Sequence, residues 1–285
     1  MAKRTFNTSI RANVPRVEKI LLPARLNVMG GWLDQLLWNG DSAVINMAVG
    51  WRSPKCFDGV YPMMISRKGF ESAITGVGTG LGISSIKASG EFLLDNPYGD
   101  YVGCALEWEW DEGTRGGWQD QTGAIQPGCK LITTDDHINF EIENYDDHPV
   151  IERLVIFDSG IRRRAETIGS RVRDLFEERQ FRAFMRRLAD DTKRAFRYNA
   201  DEFSLACLDA WNTFLSFVPE MNVELPLDDD LTFGKMMAGA GGGGYGIIFC
   251  KSVEARQPVI AKLTEQGVWA TTPVLLDGAK FVWES

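Results

Sequence analysis

Residues 76 to 85 read Gly-Val-Gly-Thr-Gly-Leu-Gly-Ile-Ser-Ser. Four alternating glycines strip the β-carbons from one side of a loop, so backbone N–H groups can close around an anion. The residues that follow suit a helix, and a helix N-terminus adds the positive end of its macrodipole to those amides, which makes a phosphate site. Ser84 and Ser85 supply hydroxyls suited to a phosphate oxygen or to Mg2+, which takes oxygen ligands. No lysine precedes Ser84, so this is not a Walker A loop. Ile83 stands where a Gly-x-Gly-x-x-Gly dinucleotide fingerprint beginning at Gly78 needs glycine. Standing alone, such a loop serves equally as a flexible connection or as close packing of backbone.

Three further segments carry chemistry. Gly239-Ala240-Gly241-Gly242-Gly243-Gly244 places five glycines in six positions, a cost in conformational entropy that implies a need for bare backbone. A C-cap after a helix ending at Lys235-Met236-Met237 would use only one or two of them. In Gly116-Gly117-Trp118-Gln119-Asp120-Gln121 a carboxylate sits in a turn, where it can accept a proton from a substrate hydroxyl; aspartate is more often an ordinary turn or cap residue. Eleven positions earlier Glu109 is a candidate Mg2+ ligand on a helix, with Glu107 its rival and a solvated helix face the plainer reading of both. Finally, Pro23-Ala24-Arg25-Leu26-Asn27-Val28-Met29-Gly30-Gly31-Trp32-Leu33-Asp34 offers a cation leaving a strand, a glycine turn and an acid. Arg25 there can stabilise a transferring phosphoryl group or serve as a surface salt-bridge partner.

The elements that must position these residues follow from periodicity. Residues 17–29, 43–51, 129–133, 138–142, 154–157, 246–250 and 274–276 read as strands. Residues 84–94, 101–110 and 253–266 read as helices, as do the stretches carrying Ile168, Val172, Leu175 and Phe176, then Phe181, Phe184, Met185 and Leu188, then Phe203, Leu208, Trp211 and Leu215. Strands with a few helices give way to helices with strands, so the pattern predicts an α+β protein in two lobes, residues 1–150 and 151–285.

At 285 residues the chain can bury a substantial core. Its net charge of −8 disfavours nonspecific binding to nucleic acid or to an acidic membrane. No apolar run is long enough for a membrane span, and no signal-type stretch follows Met1-Ala2-Lys3-Arg4. Cys56, Cys104, Cys129, Cys207 and Cys250 are scattered and odd in number, which points to reduced thiols in a cytoplasm and away from structural zinc. His137 and His148 have no Cys or His at ligand spacing. The Arg162-Arg163-Arg164 run, with Arg171 and Arg173, could meet a sugar phosphate; a solvated helix face offset by Glu166, Asp174, Glu177 and Glu178 is the commoner use.

Arg25 to Asp34, Gly80 to Ile86 and Gly239 to Gly244, in that order, resemble the three motifs of the GHMP kinases (galactokinase, homoserine kinase, mevalonate kinase, phosphomevalonate kinase). The resemblance spans nearly the whole chain. Gly30-Gly31-Trp32-x-Asp34, Asn46-Met47-Ala48-Val49 and Gly117-Trp118-Gln119-Asp120-Gln121 look most like the L-fucokinase branch, with the D-glycero-D-manno-heptose 7-phosphate kinases close behind. The resemblance implies a two-lobed GHMP kinase fold, with an N-terminal lobe like ribosomal protein S5 domain 2 and a ferredoxin-like C-terminal lobe. It also implies an ATP- and Mg2+-dependent sugar kinase, acting on an anomeric hydroxyl of a fucose-like hexose or, in the alternative, on a heptose 7-phosphate.

Residue by residue, the resemblance implies that Gly78, Gly80, Leu81, Gly82, Ser84 and Ser85 wrap the ATP phosphates. Ser84 and Glu109 would hold Mg2+, and Asp120 would act as the base beside Arg25. Trp32 and Asp34 would meet the sugar, and Gly241 and Gly242 would brace the substrate pocket. A small-molecule sugar or sugar phosphate is then the partner, and a homodimer is compatible with the family. Ile83 and Ile86 replace the usual Ser and Ala of the second motif and add bulk beside the nucleotide. A non-catalytic sugar or nucleotide sensor on the same scaffold, or a kinase for a non-sugar alcohol, are the rival readings. The indoles of Trp32 and Trp118 favour carbohydrate, because indoles stack on apolar sugar faces.

Overall fold

The computed structural model describes residues 16–34, 38–74, 80–111, 117–135, 139–145, 147–162, 165–239 and 241–284, with the side chains of 109–110 and 165–168 outside the description. Pro23 divides the first apolar stretch, because a proline cannot donate to a ladder. Val17–Leu22 (β1) and Ala24–Met29 (β2) therefore enter different sheets. In the first sheet β1 lies between Lys280–Trp283 (β13) and Met63–Ser66 (β4), with Gly69–Ser72 (β5) outermost.

The second sheet is built on Ser42–Gly50 (β3), which pairs antiparallel with β2 and with Cys129–Thr134 (β6). Glu141–Tyr145 (β7) flanks β6, and Val274–Leu275 (β12) pairs with the end of β3. The third sheet runs Ala270–Thr271 (β11), Leu154–Asp158 (β8), Tyr245–Cys250 (β10), Thr232–Met237 (β9). The last two strands thus return from the end of the chain to the sheets formed by its first half.

The helices of the first half are Ile83–Asp95 (α1), Tyr101–Asp111 (α2) and Gln119–Ile125 (α3). Those of the second half are Ala165–Leu175 (α4), Arg179–Ala195 (α5), Ala200–Phe217 (α6) and Arg256–Glu265 (α7). Along α5 the buried residues Phe181, Phe184, Met185, Leu188 and Thr192 recur at helical spacing. Asn199 caps α6 by accepting from the amides of Asp201 and Glu202, both at 3.0 Å. One contiguous apolar core runs from Ile20 and Leu26 through Phe181, Phe203 and Trp211 to Ile247 and Phe249. Among the described residues no helix is long and apolar enough to cross a membrane, and all five cysteines are free.

Four expectations are corrected. Lys235-Met236-Met237 ends a strand rather than a helix, because Met236 and Met237 pair with Ile247 and Gly246 of β10. Asp120 lies in the first turn of α3, not in a turn, and Arg25 lies within β2 rather than leaving it. The strand expected at 138–142 is β7, displaced to Glu141–Tyr145, where its register with β6 is set.

Candidate active site

Arg25 is the hub of the site. It is 3 % exposed, and its guanidinium donates through Nε and Nη2 to Oδ1 of Asp120. Its Nη1 donates to the Gly80 carbonyl at 3.2 Å, and its backbone N–H reaches the Leu81 carbonyl at 3.4 Å. One strand residue therefore ties the glycine-rich loop to the acid of α3. The fork geometry of arginine makes such a two-way tie possible, which an ammonium could not reproduce.

The loop ends at Gly82, the left-handed residue (φ 72°) that precedes α1 and has no side chain to cap it. A β-carbon there would stand 3.1 Å from Cγ of Asp120. In the first turn of α1, Ser84 is exposed, whereas Ser85 is buried with its Oγ 3.4 Å from Oδ2 of Asp120. A β-carbon at Gly80 (φ 75°) would collide with the Ala238 carbonyl. A β-carbon at Gly239 would lie 2.8 Å from Gly80 Cα, so the two glycine loops touch. Gly78 and the rest of 75–79 lie outside the described residues, as do the side chain of Glu109 and the residues Arg163, Arg164 and His137.

Asp34 closes the turn after β2 and is fully buried. Its Oδ2 accepts from the Gln119 amide at 3.2 Å and its Oδ1 from Gln119 Nε2 at 3.1 Å. Burial, and then the nearby charge of Asp120, push its carboxyl up to about 7. Gly117 lets this approach happen, since a β-carbon there would collide with the Asp34 carboxylate. Trp32 adopts φ 72°, a strained conformation for a non-glycine residue, and stacks on Phe214 at 6.3 Å. Trp118 is not available to a sugar: it is fully buried and packs on Phe140 at 4.9 Å over Val44 and Ile132.

Gly241 and Gly242 sit beside α6. A β-carbon at Gly241 would meet Trp211 at 3.0 Å, and the Gly242 amide donates to the Met221 carbonyl at 2.8 Å. Arg162 stands near this loop, both of its terminal nitrogens held by Asp158 at 2.7 Å. His148 caps a short 3-10 helix, accepting from Val150 N–H through Nδ1, and is enclosed by Tyr145, Phe196 and Phe203. Among the described residues no group of three His, Cys, Asp or Glu could hold a metal. A nucleotide-borne Mg2+, held by one or two protein oxygens and by phosphates, needs no such cluster, and the exposed Ser84 hydroxyl at the uncapped start of α1 fits it.

Residue-type reasoning missed the polar side chains under α3. Asn27 Nδ2 donates to Gln119 Oε1, and Asn46 Nδ2 to the Gln119 carbonyl at 3.2 Å. Lys130 Nζ donates to the Gly123 carbonyl at 2.7 Å. Their signal was available: each stands between two apolar neighbours in a strand that can be read from the sequence.

No family model matches the chain. A 224-residue stretch is 28 % identical to the L-fucokinase/L-fucose-1-P guanylyltransferase of Bacteroides fragilis, covering 66 % of this chain and 22 % of that protein. The chain therefore spans about a fifth of the length of that relative. A solved mevalonate kinase superposes with a TM-score of 0.64 at 12 % identity, covering 90 % of this chain and 99 % of the other. A D-glycero-D-manno-heptose 1-phosphate kinase from Bacteroides thetaiotaomicron gives a TM-score of 0.61 at 15 % identity, covering 94 % and 99 %. The fold is that of the GHMP kinases, and in sequence the chain resembles the same family through its fucokinase branch.

Proposed function

We propose that this chain is a Mg2+- and ATP-dependent kinase that phosphorylates a sugar hydroxyl, the anomeric one of a fucose-like hexose. The observation that carries the reading is the convergence of Arg25, Asp120, Gly80 and Ser85, which puts one carboxylate within reach of a phosphate-type loop. Mg·ATP supplies the transferable phosphoryl group and the divalent charge. The amides at the start of α1 and Gly80 to Ser85 cradle the phosphates, with Ser84 and Glu109 as the metal's protein ligands.

Asp120 takes the proton of the attacking hydroxyl on Oδ2, the oxygen that Arg25 does not occupy. Arg25 keeps Oδ1 in place and adds positive charge beside the transferring group. Trp32 offers an apolar face to the sugar, while Asp34, buried with both carboxylate oxygens on Gln119, and the buried Gly241 and Gly242 shape the pocket from behind. The name of the Bacteroides fragilis relative supports fucose as the acceptor. A heptose 7-phosphate is the second reading, favoured by the heptose 1-phosphate kinase fold and by Arg162 near the second glycine loop. The Asp158 grip on both Arg162 nitrogens weakens it.

The test is ADP release from Mg·ATP over a panel of free hexoses and heptose 7-phosphates. Release with a fucose-like hexose is expected, and Asp120→Asn should fold yet lose about 10²–10⁴-fold in turnover. No sugar-dependent release from the native chain, or near-normal turnover in the variant, would refute the assignment.

A further inference from the structure

Asn27, Asn46 and Lys130 are direct cross-strand neighbours: Asn27 pairs with Asn46 between β2 and β3, and Asn46 with Lys130 between β3 and β6. They form one transverse row across three strands, and none is more than 3 % exposed. We propose that this row is a polar mount which fixes the height and tilt of α3, making Asn27, Asn46 and Lys130 positioning residues for Asp120. The inference rests on the kinase reading above for its purpose, and on geometry alone for its existence.

Each member of the row donates upward to α3, the first two at Gln119 and the third at Gly123. The mount therefore grips the first residue and the last turn of a seven-residue helix. A helix that short has little stability of its own and takes its place from what it packs on. Apolar packing would hold it loosely along its axis, because dispersion contacts are non-directional; three hydrogen bonds at fixed spacing are not. Gly123 permits the close approach, since a β-carbon there would stand 2.9 Å from Cγ of Asn46. Lys130 also places an N–H donor at the C-terminal turn, where the helix leaves carbonyls without intrahelical partners.

The consequence reaches both acids. Gln119, held from below by Asn27, is the residue that donates twice to Asp34. Asp120 follows Gln119 on the same turn and meets Arg25, which shares β2 and its inward face with Asn27 two residues on. A shift of α3 on its sheet would move Asp120 relative to Arg25 and Ser85. Displacements of about 1 Å cost on the order of 100-fold in positioned chemistry.

The test uses the full chain with Lys130→Met, which keeps the volume and removes the donor, and Lys130→Arg, which restores one. Two readouts are needed. Hydrogen exchange at the Thr122 and Gln126 amides, which bond back onto Trp118 and Thr122 at the two ends of α3, should quicken about tenfold in Lys130→Met while the amides of α1 and α6 do not quicken. Turnover with L-fucose and Mg·ATP should fall about tenfold with KM for Mg·ATP within about twofold, and Lys130→Arg should recover part of it. A purely structural role would instead quicken exchange throughout the chain and raise KM together with the loss of kcat.

Unchanged exchange in α3 overturns the mount whatever the turnover does. Faster exchange with unchanged kcat overturns its role in positioning Asp120. A native chain with no sugar-dependent ADP release refutes the kinase reading, and the exchange measurement then decides the mount by itself. Should Lys130→Met not fold, Asn46→Ser is measured in the same two assays against the same outcomes.

Discussion

Lys130→Met should make the protein more stable at neutral pH, and the gain should vanish in alkali. The ammonium is fully buried with one carbonyl as its hydrogen-bond acceptor. Desolvation drives its pKa from 10.5 to about 7. Between those values the unfolded chain binds a proton that the folded chain has released, so the stability of the native sequence climbs as pH rises from about 7 to 10.5. At about 1.4 kcal/mol per pH unit, burial of this amine costs on the order of 5 kcal/mol in acid and about 4 kcal/mol at neutrality. Methionine removes that cost but strands the Gly123 carbonyl, a loss of about 1–3 kcal/mol. The variant should therefore lead by roughly 2 kcal/mol at pH 7, draw level near pH 9 and fall behind above it. Urea midpoints at pH 6.5, 8 and 9.5 and constant ionic strength measure the difference, in which all titrations common to both chains cancel. A gap that does not change with pH, or a native chain that leads at pH 6.5, would refute a desolvated amine under α3.

Asp34→Asn should show the opposite slope. Its raised carboxyl pKa, from 3.8 to about 7, means that ionised Asp34 costs stability as pH climbs through that window, so the variant's advantage should open from pH 4 to a plateau above 7. Thermal midpoints at pH 5 and 8 check this, and an equal gap at both contradicts it. Gly80→Ala should lose about 1–3 kcal/mol, because the left-handed backbone is strained for alanine and the methyl group strikes the Ala238 carbonyl. Its KM for Mg·ATP should rise more than its KM for sugar, and the opposite order would disconnect the loop contact from nucleotide binding. Ser84→Ala, at an exposed position, should keep its stability within about 0.5 kcal/mol. It should weaken the use of Mg·ATP more than that of sugar; the reverse pattern would contradict a phosphate-side role.

Long periodic segments were legible in the sequence because their burial is one-sided or complete. The α5 stripe and the wholly buried β3 and β10 follow directly from apolar spacing. Helix α3 was not legible, since seven residues that include Gly123 cannot establish a helical period, and its start at Trp118 carries no side-chain cap. Strand β9 was misread for a related reason: Lys-Met-Met before glycines matches a helix end as well as a strand edge, and only pairing with β10 decides. The glycine loops and Arg25 were found through their residue types. The partner of Arg25 was reached only through the family resemblance, because 95 positions separate it from Asp120 and no local pattern closes that distance. Lys130 passed unnoticed since a lysine in a strand ordinarily lies at the surface.

Five glycines in six positions suggested a backbone stripped for a ligand, yet protein atoms account for much of that bareness. Gly239 faces Gly80, Gly241 lies under Trp211 and Met221, and a β-carbon at Gly243 would stand 2.7 Å from the Ile161 carbonyl. The amides of Gly242 and Gly244 are also engaged, donating to the carbonyls of Met221 and Ile161 at 2.8 and 2.7 Å. The second loop is thin so that it can fit between α6, the 159–161 turn and the first loop, and two of its donors are taken by that fit. The segment from Gly80 to Ser85 instead leads into an uncapped helix start, where the helix dipole favours an anion, and touches the carboxylate that Arg25 holds. The two glycine-rich segments thus look alike in sequence but differ in the fold: the second packs α6 and residues 159–161 against the first, which opens α1.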